Sequence, residues 1–172
     1  MENNSPVVDS DIVKVDKYEP HKIANGKNDA TFFVASDDID MADLQRYRQE
    51  TQTEYLIAIT TTNKDYDCLK LADNVILCSP NEVQLVMQAF QLLHSGSGII
   101  GMDWNEVKWA ISSGRNIEFL HGMASGENCV ALACEQLIPK LKNLSSNYPI
   151  KNVMINMYAD ISFGCEQQDF II

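Results

Sequence analysis

Three short apolar runs rich in β-formers constrain this chain most: residues 31–35, 55–60 and 74–78. Each is bounded by polar or turn-forming residues and reads as a buried strand. Between the first two lies a helix-length segment, residues 41–49, with Ser36 or Asp37 placed to cap it. Strand, helix, strand, connection, strand is the order of a parallel α/β layer of Rossmann-like type.

The flanking segments divide the chain. Residues 1–29 are polar, hold Pro6, Pro20 and Gly26, and read as a flexible N-terminal arm with one short strand at residues 12–15. After the third strand, Pro80 opens a helix over residues 82–93, whose Val83, Val86, Met87, Phe90 and Leu93 form a core-facing stripe. A Gly/Ser break at residues 94–98 reads as a hinge. Then follow a helix at 104–112, a strand at 116–120, an amphipathic helix at 127–141, a loop at 143–149 and a strand at 152–158. The expected organisation is an arm (1–29), an α/β half (30–97) and a small α+β domain (98–172).

Charge narrows the function. Twenty-four acidic against 13 basic residues give a net charge of −11, which argues against nucleic-acid binding and against an anionic membrane surface. The five cysteines lie in apolar runs without metal-ligand spacing, as expected of reduced core residues in a cytoplasmic protein. The first residues carry neither a basic region nor an apolar h-region, so no signal peptide is expected. His21, His94 and His121 are too scattered for a metal site, and no GxSxG marks a nucleophile. Trp104 and Trp109, five apart, do not share a helical face. One is expected in the core and the other exposed, at an interface.

Several local motifs resemble the FtsZ/tubulin family. Gly98-Ile99-Ile100-Gly101-Met102-Asp103-Trp104-Asn105-Glu106-Val107 is similar to the family's synergy loop, GLINVDFADV. His121-Gly122-Met123-Ala124-Ser125-Gly126-Glu127-Asn128 resembles its GxAxGENR turn, and Val153-Met154-Ile155-Asn156-Met157 its LVNIT strand. Upstream, Phe32-Phe33-Val34-Ala35 looks like the strand leading into the family's phosphate loop. Asn81-Glu82-Val83 looks like the opening of its central helix, which puts Glu82 at the base-reading position. The resemblance implies a reduced second half of the FtsZ fold: a partial parallel layer followed by a domain like the family's C-terminal one.

The resemblance fails at the phosphate loop. Where the family has GGGTGTG, this chain has Ser36-Asp37-Asp38-Ile39-Asp40-Met41-Ala42-Asp43, without glycine and with four carboxylates. A carboxylate ~5 Å from a phosphate costs on the order of a few kcal/mol at an effective dielectric near 20. GTPase activity is therefore not expected, nor any cofactor. In the synergy-loop-like segment Asp103 keeps the first acid, Glu106 replaces the second, and Gly101 replaces an Asn; Asp103 equally suits a helix cap.

These features imply a non-catalytic interaction protein related to cell division. The resemblance implies that it caps or modulates FtsZ-like filaments, or self-associates, through Gly98, Gly101, Asp103, Trp104 and Glu106. The family's C-terminal domain continues with strands beyond the position of Ile172. A sheet edge left open there would be covered by pairing with a second copy, as a homodimer. The alternative is a divalent-metal or nucleotide-binding protein using Asp37, Asp38 and Asp40.

Overall fold

The computed structural model describes residues 13–92, 104–155 and 157. Five parallel strands form one sheet in sequential order: β1 (Val15–Lys17), β2 (Ala30–Val34), β3 (Tyr55–Thr60), β4 (Asn74–Leu77) and β5 (Asn116–Glu118). The helices are α1 (Met41–Glu50), α2 (Val83–Leu92), α3 (Trp104–Ser112) and α4 (Cys129–Asn147). The α/β class and the Rossmann-like parallel layer are as the sequence implied.

Neighbouring residues of β2 and β3 point to opposite faces, and both faces are filled. On one side Phe32, Ile57, Ile59 and Ile76 pack against Val86 and Phe90 of α2 and Val107 and Ile111 of α3. The Phe32 and Phe90 rings meet edge-to-face at 4.9 Å. On the other side Phe33, Leu56 and Ala58 pack against Leu44 and Tyr47 of α1, with Tyr18 and Cys68. Burying each large apolar side chain contributes roughly 1.5–3 kcal/mol relative to leaving it in water.

The sheet advances one strand at a time in one direction. The connection through α1 covers one face and the connection through α2 and α3 covers the other. Two such crossovers necessarily have opposite hands, so one of them has the uncommon left hand.

Several expectations need correction. From Val15 the N-terminal arm is tied to the sheet: the strand expected at 12–15 runs Val15–Lys17 and pairs with β2. Helix α1 is capped by Asp40, not by Ser36 or Asp37: its carboxylate accepts from the N–H groups of Ala42 and Asp43. The boundary at residue 98 does not divide the core, because α3 and β5 close the same cluster and sheet as residues 30–92.

The helix expected at 127–141 begins later and ends later. Asn128 sits in the left-handed region at φ 62°, which bars an earlier start. The helix runs on through Pro139 to Asn147 and stops where Pro149 forces Tyr148 into extended backbone. Residues 152–155, expected as a strand, pair with no other strand among the described residues. Met154 packs on the core, while Val153 and Ile155 face solvent. The expected hinge at 94–98 and the end of the chain lie outside the described residues.

Ile57→Ala should destabilise the fold by about 3 kcal/mol through the lost burial and the cavity left behind. Trp109→Ala, at a side chain 69% exposed, should change stability by less than about 0.5 kcal/mol. Urea unfolding followed by circular dichroism measures both.

Candidate functional site

In a parallel α/β sheet, ligands bind in the crevice beyond the carboxyl ends of the strands. Here that rim comprises residues 35–43 after β2, 61–64 after β3 and Cys78 to Glu82 after β4. A phosphate held at this rim needs backbone N–H groups at the start of α1 that are still open. Two of them are already taken. Asp40 Oδ1 accepts from Ala42 N at 2.8 Å and from Asp43 N at 3.3 Å. A carboxylate of the chain itself caps the helix N-terminus.

The other carboxylates of the run are spread over separate tasks. Asp37 pairs with Lys64, whose ammonium also lies 4.8 Å from the centre of the Tyr66 ring. Asp38 is exposed. Asp43 turns away from the rim: its Oδ2 accepts from the Tyr18 hydroxyl at 2.6 Å and from His21 N at 2.9 Å, while Arg46 holds Oδ1 at 2.6 Å. Among the described residues no three His, Cys, Asp or Glu side chains are grouped to hold a metal ion. The candidate ligands Asp37, Asp38 and Asp40 are therefore not brought together as a metal centre.

Asp43 belongs to a clasp that sequence reading missed. A second pair lies beside it: the Tyr47 hydroxyl donates to Asp16 Oδ2 at 2.5 Å, and Lys22 Nζ binds Asp16 Oδ1 at 2.7 Å. Together they fasten β1 and the following turn to α1. Burial, then the bond to Asp16, pushes the Tyr47 phenol up to about 12. Burial and the Asp43 carboxylate likewise raise Tyr18. The Tyr18 hydroxyl and Arg46 hold the Asp43 carboxyl well below the usual carboxylate range. For Asp16, burial works against ionisation, but the bonds from Lys22 and Tyr47 outweigh it and the carboxyl is lowered. The spacing Asp16…Tyr18…Asp43…Tyr47 gives no local signal, because the partners meet only once β1 lies beside α1.

Glu82, which the resemblance would put at a base-reading position, closes a capping box: Ser79 N donates to Glu82 Oε2 at 2.9 Å, and the Ser79 side chain caps in return. Burial, with Glu82 nearby, raises the carboxyl of Glu118 on β5. Burial, with both glutamates, raises the Cys78 thiol. A strand-end rim lined by acids in this way is not suited to an anionic ligand.

Of the synergy-loop-like residues, Gly98, Gly101 and Asp103 lie outside the described residues. Trp104 is half-buried, packing on the core and edge-on to Tyr55 at 6.1 Å. Glu106 is exposed on the outer face of α3, as is Trp109 one turn on. The two tryptophans thus divide between core and solvent. Gly122, in the GxAxGENR-like turn, lies so close to α4 that an added Cβ would sit 2.7 Å from the Ala133 carbonyl oxygen. Met123 reinforces this contact through paired backbone bonds with the Gln136 amide, at 3.1 and 2.9 Å.

Comparison of the chain with known protein families, curated proteins and solved structures finds no match. Fold and site together define a class, an α/β protein with a parallel Rossmann-like layer whose first crossover helix is capped by its own Asp40.

Asp16 and Asp43 are lowered in the folded state, so their contribution is present above the unfolded carboxylate value and is lost as pH falls through the folded ones. The thermal midpoint should drop as pH falls below about 4. Asp16→Asn should be less stable near neutrality but show a shallower acid fall; melting curves across pH check the sign. Glu82→Ala should cost about 1 kcal/mol, through the lost cap, in urea unfolding. It should leave the protein's response to guanine nucleotide unchanged.

Proposed function

We propose that this protein is a non-catalytic interaction protein with a reduced FtsZ/tubulin-like fold. It associates with FtsZ-like filaments, or with itself, through the surface that the synergy-loop-like segment and α3 carry. The observation that carries this reading is the self-capped N-terminus of α1: Asp40 occupies two of the amides that would hold a phosphate. A chain that keeps the docking segment and fills its own phosphate position is suited to join an assembly without turning over nucleotide. The exposed Glu106 and Trp109 on α3 support a contact role, since large exposed aromatic side chains are the usual anchors of protein interfaces. A cytoplasmic setting and a role connected with cell division follow from the same resemblance. A small C-terminal domain of the family's type is part of the same reading.

Two experiments test it. Isothermal titration with GTP, GDP and Mg²⁺, singly and combined, should give no binding heat; micromolar affinity would overturn the self-capped reading. Cosedimentation with FtsZ filaments at stoichiometric amounts should carry the protein into the pellet or change polymer yield, and Glu106→Lys should weaken the effect. No effect on the filaments, together with no self-association, would remove the interaction reading.

A further inference from the structure

Of the twelve large apolar side chains exposed among the described residues, seven fall between Ile138 and Met157. Helix α4 has no buried residue. Its inner side rests on the turn at Gly122, while Ile138 and Leu141 are exposed. Beyond the helix, Met154 packs on the core, and Val153, Ile155 and Met157 are exposed. That alternation leaves an extended stretch with one side turned inward and an apolar side uncovered. Residues 152–155 also pair with no other strand among the described residues. An apolar surface of this extent marks a place where something docks.

Charge and chain connection name the occupant. From residue 136 to 157 the sequence carries Lys140, Lys142 and Lys151 and no acid; Glu135, one turn before Ile138, is the single acid on α4. Lys140 bonds the neutral His121 carbonyl, a contact that leaves its charge uncompensated. Residues 158–172 have the complementary composition: Asp160, Glu166 and Asp169 with no Lys or Arg, and the apolar Ile161, Phe163, Phe170, Ile171 and Ile172. They directly follow Met157, the last exposed residue of the stretch. Fifteen residues reach up to about 50 Å, and the 19 of α4 span about 28 Å, so the segment is long enough to lie along the helix. A segment tethered this closely competes at roughly millimolar effective concentration, ahead of a second copy in dilute solution.

We propose that residues 158–172 fold back over α4 and residues 148–157 of the same chain. Phe163 and Phe170 seat on the exposed apolar side chains, and Asp160, Glu166 and Asp169 meet Lys142 and Lys151. The contact closes this surface to other proteins and leaves α3 as the open face. It goes beyond the reading of α3 as an interaction surface and does not rest on it.

Anilinonaphthalene sulfonate, a dye that fluoresces on exposed apolar surface, tests it on the full chain. The wild type should bind little dye. Phe163→Asp and Phe170→Asp should each raise the fluorescence severalfold while leaving the circular dichroism spectrum unchanged. Lys142→Glu with Lys151→Glu should raise it as well, and adding Glu166→Lys and Asp169→Lys should bring it back down through the reversed pairs. Carbodiimide coupling, which joins a carboxylate to a contacting amine, supplies the geometry. In an equimolar mixture of isotope-labelled and unlabelled chains it should link Lys142 or Lys151 to Asp160, Glu166 or Asp169 within one chain. Links that join labelled to unlabelled chains would make a second copy the occupant and overturn the proposal. So would the absence of these links, or a dye signal that neither phenylalanine variant raises. None of the variants touches α3, so the filament cosedimentation above decides that reading separately.

Discussion

β2 and β3 have no face left for solvent. Phe32, Phe33, Leu56, Ile57, Ala58 and Ile59 are all essentially inaccessible, and successive residues point to opposite sides. A strand of that composition is stable only if helices cover both faces, so α1 must lie on one side and α2 with α3 on the other. The arrangement confines any function to the strand ends and to the outer faces of the helices. Buried polar groups beside the sheet follow the same discipline. The hydroxyls of Thr31, Thr53 and Thr51 form a chain of 2.7 Å contacts ending on the Tyr47 carbonyl. That acceptor sets the direction in which each hydroxyl donates.

The acidity of the chain looks, residue by residue, like an anion-repelling or metal-binding rim, but its carboxylates mostly do structural work. Asp40 replaces an external anion at a helix start, Asp43 and Asp16 hold the first strand, Glu82 caps a turn, and Asp37 meets Lys64. The feature that distinguishes a nucleotide pocket from an ordinary capped helix is a set of unsatisfied backbone donors. In this fold Asp40 satisfies two of those donors from within.

The apolar runs around Phe32, Ile57 and Ile76 were legible as buried strands because burial on both faces leaves a continuous pattern that needs no tertiary information. Helix α3 was legible to its last residue for a similar reason: Trp104, Val107 and Ile111 recur at helical spacing. The start of α4 was misplaced because a left-handed Asn128 leaves no mark that distinguishes it from a helical asparagine. Residues 152–155 carry the composition of a strand, yet composition alone supplies no neighbour to pair with. The clasp of Tyr18, Asp43, Tyr47 and Asp16 was invisible because its members are brought together by the fold and not by any local period. For the candidate site, the absence of glycine from residues 36–43 was readable directly. That Asp40, rather than an earlier residue, takes over the amides required the backbone geometry.

The opposite hands of the two crossovers bear on the order in which the chain is made. β3 follows β2 after a compact loop and helix, whereas β5 reaches β4 only after both α2 and α3 have been laid across the second face. A ribosome therefore releases β1 to β4 well before the strand that closes the outer edge of β4, and for that interval the edge stands open. Asn74, at the start of β4, waits for the carbonyls of Ile111 and Gly114 that its buried amide will bind. Until those arrive, the amide lacks these two acceptors and the strand edge lacks its partner.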